Sequence, residues 1–152
     1  MLSVGTVNKR LAGSTMNWRW IVLGGLLSTL VWGTLYAPIH PLVEVHDATG
    51  KPVLPLTPFA HASFTMRALV VANGFVQGIA MIWLYAAIRP RFGAGARTAL
   101  VAGFAIWLLR SWGDVTWAAF SATRLSLLVL PLLANLAIVL LAALAGARVY
   151  RE

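Results

Sequence analysis

The chain has 152 residues, 60% of them hydrophobic and only 11% charged. Soluble domains average about 25% charged residues, so the balance argues against a water-soluble fold. With no cysteine, disulfides and thiolate metal sites are excluded. A net charge of +8 would suit nucleic acid, but the basic residues cluster at the ends of apolar blocks, the pattern of membrane topology. Nucleic acid is therefore not an expected partner.

Residues 1–16 are polar and small and read as a mobile cytoplasmic tail, with Met16 of "MNWRW" offering a second start besides Met1. A transmembrane helix needs about 20 predominantly apolar residues. The first such run is about 18–37, "WRWIVLGGLLSTLVWGTLYA". It is too long for the apolar core of a signal peptide, and "LYAPIHP" is a poor cleavage site. An external loop, 38–63, follows. Within it "PLVEVHDATGKPVLPL" (41–56) has two β-prone runs around "DATGK", with Gly50 suited to a hairpin turn. A small external β-hairpin is expected there.

Thr57 followed by Pro58 has the form of a helix start, a cap and then proline at the first helical position. A helix from 58 to 88 would be roughly 46 Å long, so its first turns would project beyond a span of about 64–88. "RPRFGAGAR" (89–97) is a tight link in which Pro90 stops the helix and Gly93 and Gly95 allow a turn. Third and fourth spans follow at about 98–119 and 125–147, joined by a still shorter link. Short links make sequential helices antiparallel neighbours. The fold expected is thus an all-α membrane protein, an up-down four-transmembrane-helix bundle with a small external β-hairpin loop, forming one domain over 1–152.

Lys9, Arg10, Arg19, Arg89, Arg91, Arg97, Arg148 and Arg151 all fall on one side of these spans, eight of the twelve Lys and Arg. The positive-inside rule then places both termini in the cytoplasm. Small residues recur at four-residue spacing and mark expected helix contacts: Gly25, Thr29 and Gly33; Gly74 and Gly78; Ala99 and Gly103; Ala143 and Ala147. Among the seven tryptophans, Trp18, Trp20, Trp112 and Trp117 fall near the interfaces, and Trp83 and Trp107 lie deeper.

Charge inside the third span is the main chemical signal. Arg110 and Asp114 are four residues apart and share a helix face. An unpaired charge at mid-bilayer costs at least ~2.5 kcal/mol, so both should face the bundle interior or a wet cavity. Arg67, Asn73 and Gln77 of the second span and Arg124 at the start of the fourth belong to the same half. The six form a candidate polar cluster. Either Asp114 neutralises Arg110 or Arg67 and pins the helices in register, or the cluster lines a pocket for an anion or lipid headgroup. A proton relay would want a second membrane carboxylate beside Asp114.

His40, His46 and His61 lie in the external loop or its helical edge, near Glu44 and Asp47. They are weak metal candidates, since none shows a zinc-motif spacing. No metal or cofactor is expected. "RFGAGAR" lacks the strand and helix context of a phosphate loop and reads as a basic turn meeting anionic lipid headgroups.

"FGAGARTALVAGF" (92–104) and the ending "LAALAGARVYR" (141–151) resemble small four-span integral membrane proteins of bacteria. The likeness extends to the layout of the whole chain. It implies a bundle in the bacterial inner membrane and supplies no activity or site residues. The resulting expectation is a non-enzymatic inner-membrane protein, an accessory or scaffold subunit packing against itself or a larger complex. The alternative is a binder or carrier of a small anionic or amphipathic ligand through the arginine-lined pocket.

Overall fold

A computed structural model describes residues 16–43, 63–120 and 124–151. Four helices make up these residues: α1 (Trp18–Val43), α2 (Phe64–Phe92), α3 (Ala96–Phe120) and α4 (Val129–Val149), the last entered through a 3-10 turn, Leu125–Leu128. No strand occurs among the described residues. The expected β-hairpin, the Thr57–Pro58 helix start, His46, His61 and the N-terminal tail lie largely or wholly outside them. Trp18–Leu42, Phe64–Phe92 and Ser126–Val149 are long and apolar enough to cross a membrane. α3 has a similar length, 25 residues, but carries Arg97, Arg110 and Asp114.

Two helix ends differ from the sequence-based expectation. α1 continues past Ala37 through Pro38 and Pro41. Each proline removes one N–H donor, but the rings of Trp32, Tyr36 and His40 stack along the same face at four-residue spacing. Trp32 and Tyr36 are 4.8 Å apart and nearly parallel, and Tyr36 meets His40 edge-on at 5.4 Å. His40 is therefore a helical residue in an aromatic ladder, not a loop residue. α2 likewise runs through Pro90 to Phe92. The stop is Gly93, in the left-handed region with φ +83°, whose N–H donates to the Arg89 carbonyl at 2.8 Å. Gly95, φ +136°, completes the turn. The Thr98 hydroxyl closes it by donating to the Gly93 carbonyl at 2.7 Å. The expected role of the two glycines holds; that of Pro90 does not.

Short connections place the helices in sequence around a square. α1 packs on α2 and α4, and α3 packs on α2 and α4. α2 and α4 also touch across one diagonal, whereas the α1 and α3 backbones come nowhere within 8 Å of each other. Trp20 of α1 stacks under Arg151, 5.4 Å away, and Tyr85 of α2 meets Tyr150 edge-on at 5.9 Å. Both described ends of the chain and the α2–α3 turn therefore share one end of the bundle, here the turn end. The other is the loop end.

In lipid, close packing and polar contacts hold helices together, because acyl chains are as apolar as leucine. α1 supplies two such seams on adjacent faces. Gly24 and Ser28 meet α4: a Cβ on Gly24 would sit 2.8 Å from the Gly146 carbonyl, and the Ser28 hydroxyl lies 3.0 Å from the Ala142 carbonyl. Gly25 and Thr29 meet α2: a Cβ on Gly25 would lie 2.6 Å from Ile79 Cα, and the Thr29 hydroxyl lies 2.9 Å from the Gly74 carbonyl. On the far side Gly103 of α3 faces Ala143 of α4. The small-residue spacings thus serve contacts inside the bundle, except Gly33, which has open space around it. Thr29→Val keeps the shape and removes the hydroxyl. It is expected to cost about 0.6 kcal/mol, and at most ~1.7, of stability measured by denaturant titration in mixed micelles.

Burial concentrates at the turn end. Ile21, Ile82, Tyr85, Ala86, Ala99 and Ala102 form the main cluster, closed by Tyr150. In α2 the buried residues begin at Gly78. Every residue from Ser63 to Asn73 is exposed, so α2 leaves its neighbours above Gly74. The outer surface is apolar: Leu69, Leu109, Leu130 and Leu133 are each more than half exposed. Such a belt is foreign to a protein surrounded by water and natural in lipid.

Candidate functional site

Where α2 begins to part from the bundle, the four helices line a half-open cavity of about 40 Å³. Roughly 10–15 Å³ suffices for one water, so the space holds a chemical group of a few heavy atoms. Ser28, Thr29 and Trp32 line it from α1, Gly74 and Gln77 from α2, Arg110 from α3 and Ala142 from α4. The glycines and hydroxyls that allow close approach below thus become its floor.

Arg110 spans the diagonal that the backbones leave open. Its Nη1 donates to Gln77 Oε1 at 3.2 Å, and its guanidinium carbon lies 4.9 Å from the centre of the Trp32 ring. Trp32 is held in turn, its Nε1 donating to Asn135 Oδ1 of α4 at 2.9 Å. Residues of all four helices therefore fix one guanidinium: α1 gives its stacking face, α2 an acceptor, α4 the anchor of the ring. The cation–π contact contributes about 0.5–2 kcal/mol, the more so out of water.

A guanidinium has five N–H donors. Gln77 takes one of them, and among the described residues no other acceptor is placed on Arg110. Nor does any ion pair of 4 Å or less join it to Asp114 among those residues. Asp114 is half-buried, four residues and about 6 Å farther toward the loop end on the same helix.

The other members of the cluster separate. Asn73 stands four residues from Gln77 on α2, which puts it at about the height of Asp114, and it is exposed. Arg67 is a further six residues out and exposed. Arg124 is exposed at the start of the 3-10 turn, and its carbonyl accepts from the Leu127 N–H. The structure therefore brings Gln77 and Arg110 together, keeps Asp114 a turn away and leaves Arg67, Asn73 and Arg124 apart. Among the described residues no group of three or more metal-ligating side chains assembles.

Trp32, Asn135, Ser28 and Thr29 enter the site without having been expected there. Asn135 carried a signal: it is the one amide or charged residue in "VLPLLANLAIVLLAALA". A lone amide deep in an apolar helix needs an internal partner. No family model, curated protein or solved structure matches this chain. The class is set by the fold and the site alone: a small helical bundle with three helices fit to cross a membrane and an arginine turned into its interior.

Proposed function

We propose that the protein is a non-enzymatic membrane binder or carrier of a small anionic or amphipathic ligand, held through its anionic group by Arg110. The supporting observation is that the guanidinium is fixed in place by Gln77 and Trp32, lines a cavity and has no carboxylate on it among the described residues. A cation at this depth is expensive without a counter-charge. Positioning by neutral groups leaves most of its donors for a guest. In this reading α3 is the fourth crossing, its charges directed inward, and the protein sits in the bacterial inner membrane. The run of arginines at the turn end supports cytoplasmic termini.

The test uses purified protein in maltoside micelles, titrated by calorimetry with single-chain probes of equal length: decanol, decanesulfonate and decylphosphocholine. At least one anion-bearing probe is expected to bind ten times or more tighter than decanol. Equal affinity for all three would remove the proposal.

A second reading, an accessory subunit of a larger complex or a homo-oligomer, is favoured by the outer half of α2. Arg67 and Asn73 are exposed there, as is every residue from 63 to 73, and polar groups facing lipid want a partner. Gentle extraction followed by native mass measurement is expected to show a species heavier than one chain if this reading holds.

A further inference from the structure

The placement of Asp114 says more about the guest. Resting on the ligand-binding reading of Arg110, we infer that the ligand is a zwitterion: its anionic group lies on Arg110, and its ammonium lies one helical turn nearer the loop end, on Asp114.

Two opposite charges four residues apart on a helix lie on one face, well placed to pair. Here they do not pair. Arg110 turns toward Gln77 and the Trp32 ring, and no contact of 4 Å or less closes to the carboxylate among the described residues. Arg110 is fixed by contacts to two other helices, so it is not free to swing back to Asp114. The site therefore presents a cation and an anion whose backbone positions are about 6 Å apart along the helix axis and whose side chains do not close on each other. Each charge is at least half-withdrawn from the surroundings, and neither neutralises the other through a direct contact.

A purely anionic guest fits this field poorly. Asp114 lies one turn from Arg110 on the same helix face, so a carboxylate there also reaches an anion seated on Arg110 and repels it. A purely cationic guest meets the reverse problem. A guest with both charges, separated by a few bonds, converts two unfavourable buried charges into two favourable pairs. The half-open cavity, about 40 Å³, has room for a sulfonate- or phosphate-sized group. The exposure of α2 above Gly74 leaves its loop-end half open at about the height of Asp114, where the cationic end would lie.

The ordering of the charges, anion deeper and cation nearer the loop end, is that of a choline- or ethanolamine-type phosphodiester with its chain on the phosphate. The same chemistry occurs on a membrane lipid and on a free small molecule, and the experiment separates them. Wild-type protein in maltoside micelles is titrated with decylphosphocholine, decanesulfonate, decyltrimethylammonium and chainless phosphocholine. The expected order is decylphosphocholine first, by about tenfold or more over either singly charged probe. Phosphocholine binding as tightly as its decyl ester would assign the site to a free solute; a loss on removing the chain would assign it to a lipid.

In Asp114→Asn the preference is expected to reverse, with decanesulfonate gaining severalfold and decylphosphocholine losing. Asp114→Glu is expected to restore the wild-type order. Decanesulfonate binding as well as decylphosphocholine to the wild-type protein would overturn the zwitterion while leaving Arg110 as a binding group. No preference for any charged probe over decanol would overturn both. Should Asp114→Asn fail to fold, the wild-type ranking decides alone.

Discussion

Gly78→Ala is expected to cost about 1–3 kcal/mol of bundle stability, and Gly78→Val more. A Cβ at this position would collide with the Thr29 hydroxyl and with the Gly25 carbonyl. The second is main chain, so no rotamer change relieves it; α1 and α2 must move apart. Moving them also stretches the hydrogen bond from Thr29 to the Gly74 carbonyl, 2.9 Å long, so the two losses are coupled. Gly146→Ala should behave alike, since its Cβ would meet Ser28 and the Gly24 carbonyl on the α1–α4 seam. Gly33→Ala is the control. Nothing lies within 4 Å of a Cβ there, and alanine is the better helix former by about 0.8–1 kcal/mol. That variant is expected to be neutral or more stable. Thermal unfolding in one detergent, followed by circular dichroism, ranks the three. Equal losses at positions 33 and 78 would contradict the close α1–α2 approach.

Arg110→Leu is expected to leave the melting temperature unchanged or raised while abolishing the preference for anion-bearing probes. The opposing effects are comparable in size. Removing the arginine loses a hydrogen bond to Gln77, about 1 kcal/mol, and a cation–π contact with Trp32, about 0.5–2 kcal/mol. It also removes a charge whose placement mid-helix costs roughly 2.5–3.5 kcal/mol on the insertion scale, and replaces it with a favourable residue. A binding group held at the expense of stability is common at functional sites. A structural cross-brace would behave oppositely, with Arg110→Leu unfolding the bundle. Measuring melting temperature and probe affinity on the same preparation separates the two roles that the sequence left open for this residue.

Much of the architecture was legible because bilayer physics is simple. Apolar runs of about 20 residues mark helices whatever their partners, so the blocks at 18–37, 64–88, 98–119 and 125–147 correspond to α1 through α4. Gly93 and Gly95 were readable because their positive φ is a local property. Pro90 misled, and α1 likewise runs through Pro38 and Pro41, because whether a helix survives a proline depends on what else holds that turn. In α1 the additional support is the Trp32, Tyr36 and His40 ladder.

The site was half legible. Arg110 and Gln77 could be paired from depth alone, since antiparallel helices of known ends bring them level. Depth also placed Arg67, Asn73 and Arg124 in the same cluster, but it carries no information on where helices diverge. The parting of α2 above Gly74 puts Asn73 and Arg67 outside. The neutral residues that position the arginine were hidden for another reason. A tryptophan in an apolar helix reads as packing or as an interface anchor, and only the three-dimensional contact shows Trp32 carrying a guanidinium on its face and Asn135 on its edge.

The inward direction of position 110 is open to direct measurement, and the chain has no native cysteine to interfere. Single cysteines at positions 109 and 110 carry a nitroxide label in lipid nanodiscs, and collisions with oxygen, which concentrates among acyl chains, are read by power saturation. Leu109 is 74% exposed, so its label is expected to be mobile and strongly relaxed by oxygen. The label at 110 is expected to be immobilised and several times less accessible. High oxygen accessibility at 110, equal to that at 109, would mean that the arginine faces lipid and that no interior cation site exists.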